Sequence, residues 1–103
     1  MEMLLNRSPR PTAIFAANDL LAIGIMQGLQ RTGLRIPDDV AIVGFDDIPV
    51  ARYVTPALTT IAQSQQKIGQ RAAKMLLEHL SSGGDIGRRC VEVPYELKVR
   101  AST

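Results

Sequence analysis

"TAIFAANDLLAIGIMQGLQRTGLRIPDDVAIVGFDD", residues 12–47, carries the reading of the fold. Its first piece, Thr12 to Ala17, is a short apolar run between Pro11 and Asn18-Asp19, the pattern of a buried strand. Leu21, Ile25 and Leu29 then recur every four residues with Ala22 and Met26 alongside, which predicts an amphipathic helix. Asn18 or Asp19 is placed to cap its start, and Gly33 to end it in a left-handed conformation. "RIPDD" reads as a turn and "VAIVGF" as a second buried strand. Strand, helix and strand over about thirty residues make a βαβ unit with parallel strands. An internal echo supports it. "AIFAAND" (13–19) and "AIVGFDD" (41–47) share Ala-Ile, three further residues, then Asn or Asp, then Asp, at an offset of 28 residues.

Outward from this unit, Pro49 suits the first turn of a short helix over Val50 to Val54, which Pro56 ends. "ALTTI" follows as a short β-branched strand. Ser64 opens the longest helix, to about Leu80 or Ser82, with Ile68, Ala72, Met75, Leu76 and Leu80 as its apolar stripe and "SSGGD" as its terminator. "CVEV" and "ELKV" alternate like strands, and Pro94 between them marks an edge strand or a bend. At the other end "MEMLLN" reads as the tail of a helix stopped by Pro9 and Pro11, so the chain is expected to be part of something longer.

The 103 residues, 46% of them hydrophobic, suit one globular α/β domain with a modest core. Twelve Lys and Arg face ten Asp and Glu, which is far from the dense basic face of a nucleic-acid binder. Arg88-Arg89, the one adjacent basic pair, reads as a solvated turn. A single cysteine, Cys90, gives no disulfide framework and fits a reducing compartment, as a structural thiol rather than a nucleophile. No run is long and apolar enough to span a membrane.

Ligands of parallel α/β sheets bind outside the carboxyl ends of the strands. The echo puts Asn18 and Asp46 at two such ends, roughly 5 Å apart if the strands are neighbours. A carboxamide that donates and accepts, beside a carboxylate that only accepts, suits a polyhydroxylated ligand. Helix capping is the competing reading and accounts for one polar residue per strand end better than for two. Asp19 and Asp47 are better read as caps or first-turn residues. A Mg²⁺ or phosphoryl-acceptor site at Asp46-Asp47 lacks a second acceptor aspartate at another strand end and a nearby lysine. His79, the one histidine, lies late in the long helix. With no GxSxG, GxGxxG or GxxxxGK[ST] present, neither enzymatic activity nor any cofactor or metal is expected.

Several of these stretches resemble the effector-binding core of LacI/GalR-type transcription regulators. They are residues 11–63 ("PTAIFAAND…IPDDVAIVGFDD…PALTTIAQ"), "IGQRAAKMLLEHL" and the closing "VRAST". Their order and spacing make the resemblance specific, and it covers nearly the whole chain. It implies an incomplete periplasmic-binding-protein-like type I fold. Residues 1–62 would belong to the C-terminal lobe, and residues 63–103 would be a crossover helix and closing strands of the N-terminal lobe or inter-lobe region. The implied effector contacts are Asn18, Asp46 and Gln63, for a sugar or nucleobase-type metabolite. The implied dimer surface comprises Ala22, Ile23, Met26, Val50, Tyr53 and Val54, although apolar residues there also read as core. DNA would be bound only through an N-terminal helix-turn-helix domain that this stretch does not contain. The expected location is cytoplasmic. A periplasmic sugar-binding protein of a transporter shares the strand ends and is the alternative. It does not usually carry "PDDV", "P-x-LTT" or the "R-x-ST" close.

Overall fold

The structure is a computed structural model describing residues 8–82 and 90–103. The "MEMLLN" segment, Gly83 to Asp85 of the "SSGGD" terminator and Arg88-Arg89 lie outside the described residues. The chain forms two compact units. One takes in the residues up to Ala62 and again Glu96–Thr103; the other is Gln63–Tyr95. Glu96–Thr103 therefore group with the first unit, not with the rest of residues 63–103.

The first unit is built on β1 (Ala13–Phe15), α1 (Asp19–Arg31), β2 (Ala41–Asp46), a 3₁₀ turn (Pro49–Arg52) and β3 (Thr59–Gln63). With β4 (Tyr95–Lys98) the strand order is β1-β2-β3-β4. β1 pairs with β2, and β2 with β3, both parallel. The βαβ unit is thus present. Its α1 ends as expected at Gly33, whose φ of 78° is left-handed. There Gly33 N donates to Gln30 O and Leu34 N to Leu29 O, the doubly bonded stop that glycine allows.

Ala16, Ala22, Met26, Leu29, Val40, Ile42, Ala51 and Leu58 form the core between α1 and the sheet. Leu21 and Ile25 of the expected stripe are not at its centre. Leu21 is exposed and Ile25 only half-buried, and the buried line runs Asp19, Ala22, Met26, Leu29. Ala22, Met26 and Leu29 of the expected stripe are buried, and Asp19, at 0% exposed, extends that line to the start of the helix. The "RIPDD" turn before β2 is closed by Asp39. Its Oδ2 accepts from Arg35 N at 2.8 Å and Nε at 3.1 Å, and its Oδ1 from Nη2 at 2.9 Å. These bonds hold the Asp39 carboxyl down at about 2.

The second unit consists chiefly of α2 (Gln65–Ser81). Ser64 caps it, Oγ accepting from Lys67 N at 3.3 Å. No residue of α2 is buried, and Leu76, Leu77 and Leu80 stand in solvent. Lys67, Gln70, Arg71 and Lys74 face Val91 to Pro94 across an open groove of about 390 Å³. The strand expected at "CVEV" does not form. Pro94 has no N–H to give a ladder, and pairing begins only at Tyr95.

Candidate functional site at the carboxyl edge of the sheet

β1 and β2 pair in the register Ala13↔Ala41, Ile14↔Ile42, Phe15↔Val43. That offset of 28 equals the offset of the sequence echo. Asn18 and Asp46 therefore leave neighbouring parallel strands at equivalent positions. On the other side of β2, Asp46 pairs with Ala62, and Gln63 is the next and last residue of β3. Asn18, Asp46 and Gln63 are all half-buried. Gln63 is the first residue of the second unit.

Asn18 is extended (φ −155°, ψ 168°), and its Oδ1 accepts from Leu21 N at 2.9 Å. It is the N-cap of α1. Capping uses only the oxygen, however. The amide nitrogen, with two N–H donors, makes no hydrogen bond among the described residues, so one side chain can cap a helix and still offer donors to a ligand. Asp46 has φ 115°, a conformation L side chains rarely adopt. Such residues persist where the surroundings over-determine them, and they cluster at ligand sites.

Asp19 and Asp47 do not act as caps. Asp19 is in the first turn of α1, but its carboxylate is turned into the unit and both oxygens are engaged. Oδ1 accepts from Thr60 Oγ1 at 2.5 Å and Oδ2 from Ile48 N at 2.9 Å. This satisfies the rule that a buried charge needs hydrogen bonds. The N-cap of the 3₁₀ turn is Ile48, with no side-chain cap, so Asp47 plays no capping part there either. Asp47 is instead ion-paired: Oδ1 accepts from Arg100 Nη2 at 2.5 Å, and Oδ2 lies 3.4 Å from Arg52 Nη2. Burial acts to raise the Asp47 carboxyl. The hydrogen bond and charge of Arg100, then those of Arg52, outweigh it, and Asp47 titrates below the ordinary aspartate value. With two guanidinium groups on it, Asp47 is a poor second ligand for a divalent cation. Among the described residues no three His, Cys, Asp or Glu side chains gather as a metal site.

Three supporting residues escape a strand-by-strand reading: Thr60, Arg100 and Ser102. Arg100 Nη1 also donates to Leu58 O at 2.7 Å, and Arg100 N to Thr59 Oγ1 at 2.8 Å. Ser102 is 0% exposed. Its Oγ donates to Ile42 O at 2.6 Å and accepts from Thr59 N at 2.8 Å, while its carbonyl accepts from Ile42 N at 2.8 Å. The closing "R-x-ST" is therefore a fastener across β2 and β3. Its one signal in the sequence is the motif itself.

Of the six residues implied at a dimer surface, Ala22 and Met26 are inside the core, at 0% and 2% exposed. Their small and flexible side chains pack in the core cluster. Ile23 and Val54 are half-buried against that core. Val50 and Tyr53 are exposed, Tyr53 at 82%. Cys90 is an exposed free thiol. Among the described residues, no helix is long and apolar enough to cross a membrane.

The sequence matches the family described as "Periplasmic binding protein-like domain" over residues 1–103. It is 38% identical over 102 residues to the HTH-type transcriptional repressor PurR of Mannheimia succiniciproducens, covering 99% of this chain and 30% of that protein. It is 42% identical over 94 residues to the ribose operon repressor of Haemophilus influenzae, covering 91% and 28%. Among solved structures, a LacI family transcriptional regulator from Enterococcus faecium with bound ribose superposes with a TM-score of 0.79 at 37% identity, covering 99% of this chain and 37% of that one. The chain thus spans about 30% of the length of the curated relatives it matches. It belongs to the periplasmic-binding-protein-like domain family.

Proposed function

We propose that the carboxyl edge of this sheet is one wall of a small-metabolite site through which a LacI-type repressor senses its effector. The observation that carries the reading is the place of Asn18 just past the end of β1 and of Asp46 at the end of the neighbouring parallel strand β2, with Asp46 in a conformation L side chains rarely adopt. Amide donors beside a carboxylate acceptor suit vicinal hydroxyls, or the mixed donors and acceptors of a nucleobase. Gln63, the last residue of β3, is the third residue proposed to contact the effector. The ribose held by the Enterococcus faecium regulator supports a sugar among the candidates.

In the whole regulator, effector binding biases the DNA-bound state through linkage between two sites, with DNA contacted by a separate helix-turn-helix domain and the protein acting as a cytoplasmic homodimer. Exposed Val50 and Tyr53 are the residues of this chain best placed for self-association. Named relatives that are repressors favour this reading over a transporter's sugar-binding protein.

Nuclear magnetic resonance titration of this chain with millimolar ribose, glucose and a panel of nucleosides tests the site. One ligand class is expected to move the amide signals around Asn18 and Asp46, weakly, because a single wall forms few contacts. Asp46→Asn is expected to abolish the shifts. A panel that leaves those signals in place, or shifts that survive Asp46→Asn, would overturn the reading.

A further inference from the structure

We infer that Asp19 and Thr60 are a buried positioning pair that holds Asp46 in its left-handed conformation at the sheet rim. The inference rests on the proposed ligand role of Asp46. Asp46 and Asp47 are consecutive positive-φ residues, at 115° and 52°. Two such residues in succession need fixing from outside the turn. The bonds that do so fall on the two amides that follow Asp46. Asp47 N donates to Thr60 Oγ1 at 3.4 Å, the hydroxyl in turn donates to Asp19 Oδ1 at 2.5 Å, and Ile48 N donates to Asp19 Oδ2 at 2.9 Å. One carboxylate thus fixes both peptide units, one directly and one through a hydroxyl.

Neither member of the pair is a contact residue. Asp19 and Thr60 are both 0% exposed, so a ligand at the rim does not touch them. Gly44 makes their approach possible, since a Cβ there would overlap Asp19 Oδ1. From the opposite side Arg100 holds the Asp47 carboxylate. With the residue after it bonded through both its amide and its side chain, the backbone of Asp46 is held at the end of β2.

Thr60→Val removes the hydroxyl and keeps the shape; Thr60→Ser keeps the hydroxyl. The readout is the amide–α-proton coupling of Asp46 and Asp47, which reports φ, measured beside ribose and nucleoside titrations of the same samples. In Thr60→Val both couplings are expected to change and ligand affinity to fall about tenfold, because the backbone of Asp46 is no longer held in its bound geometry. Thr60→Ser is expected to restore both. Ser102→Ala, which weakens the sheet elsewhere, is expected to change neither. Asp19→Asn, which keeps side-chain size and puts a donor against the Asp47–Thr60 link, is the second variant should Thr60→Val fail to fold. Wild-type couplings in either folded variant overturn the proposal. Altered couplings in a protein whose wild type binds none of the probes uphold the positioning pair and reject the ligand reading of Asp46 instead.

Discussion

Gly44 of β2 lies against the carboxylate of Asp19, the first residue of α1, so closely that a Cβ would overlap Asp19 Oδ1 and sit 3.1 Å from Leu58 Cδ2. The glycine is there for the carboxylate. Gly44→Ala should push Asp19 off Ile48 and Thr60, combining overpacking with loss of bonds to a buried charge. The expected cost is about 2–4 kcal/mol, read from urea unfolding. A variant as stable as the wild type would show that Asp19 can be housed elsewhere.

Ser102→Ala leaves Thr59 N without its acceptor and Ile42 O without one of its donors in a buried setting. A loss of about 1–3 kcal/mol is expected. Ser102→Thr retains the hydroxyl but adds a methyl group where there is no free surface, so it is expected to recover the stability only in part. Chemical denaturation of the three proteins side by side makes the comparison.

Acid should weaken this fold through two aspartates. Asp39 is held at about 2 by Arg35, and Asp47 is lowered by Arg100 and Arg52 against the opposing effect of burial. Both bind a proton less readily folded than unfolded, so the stability they contribute is complete above the ordinary aspartate range. It is lost as pH falls through the folded values, from about pH 4 towards about pH 2. Carboxyl carbon titrations should place the Asp39 midpoint well below that of an unfolded peptide. Arg35→Gln should move it back towards the ordinary value.

Self-association is expected from the apolar surface the chain leaves open. Val50 and Tyr53 lie in and beside the 3₁₀ turn, Phe15 is 61% exposed on edge strand β1, and Leu76, Leu77 and Leu80 line α2. Sedimentation at high micromolar concentration should detect dimers or larger species. Tyr53→Asp should shift the equilibrium towards monomer if the turn is the contact; a monomeric wild type would refute the expectation.

Local pattern made the βαβ unit legible, and it did so for a structural reason. The echo of "AIFAAND" in "AIVGFDD" has the same spacing as the β1–β2 register, so equivalent letters became neighbouring residues. Caps and stops were legible for the same reason, because Asn18, Gly33 and Ser64 act within a few residues of themselves. The aspartates were not. The partners of Asp19 lie 29 and 41 positions away and Arg100, the nearer-packed of Asp47's two arginines, lies 53 away, distances over which neither periodicity nor propensity carries information. With Asp19 buried at its start, the inward line of α1 runs through Ala22, Met26 and Leu29 and leaves Leu21 exposed.

The Ser102 fastener sets an order of events during synthesis. Its bonds to Thr59 and Ile42 span 43 and 60 positions. A ribosome has therefore released the whole of β1, α1, β2 and β3 well before the residue that fastens the start of β3 to β2 emerges. Until then Thr59 N and Ile42 O must be hydrated, although the ladder from Val43–Thr59 to Asp46–Ala62 can already pair. Contacts of such long sequence separation slow folding. This corner of the sheet is therefore the last to close, after the ladder between β2 and β3 has had the chance to form.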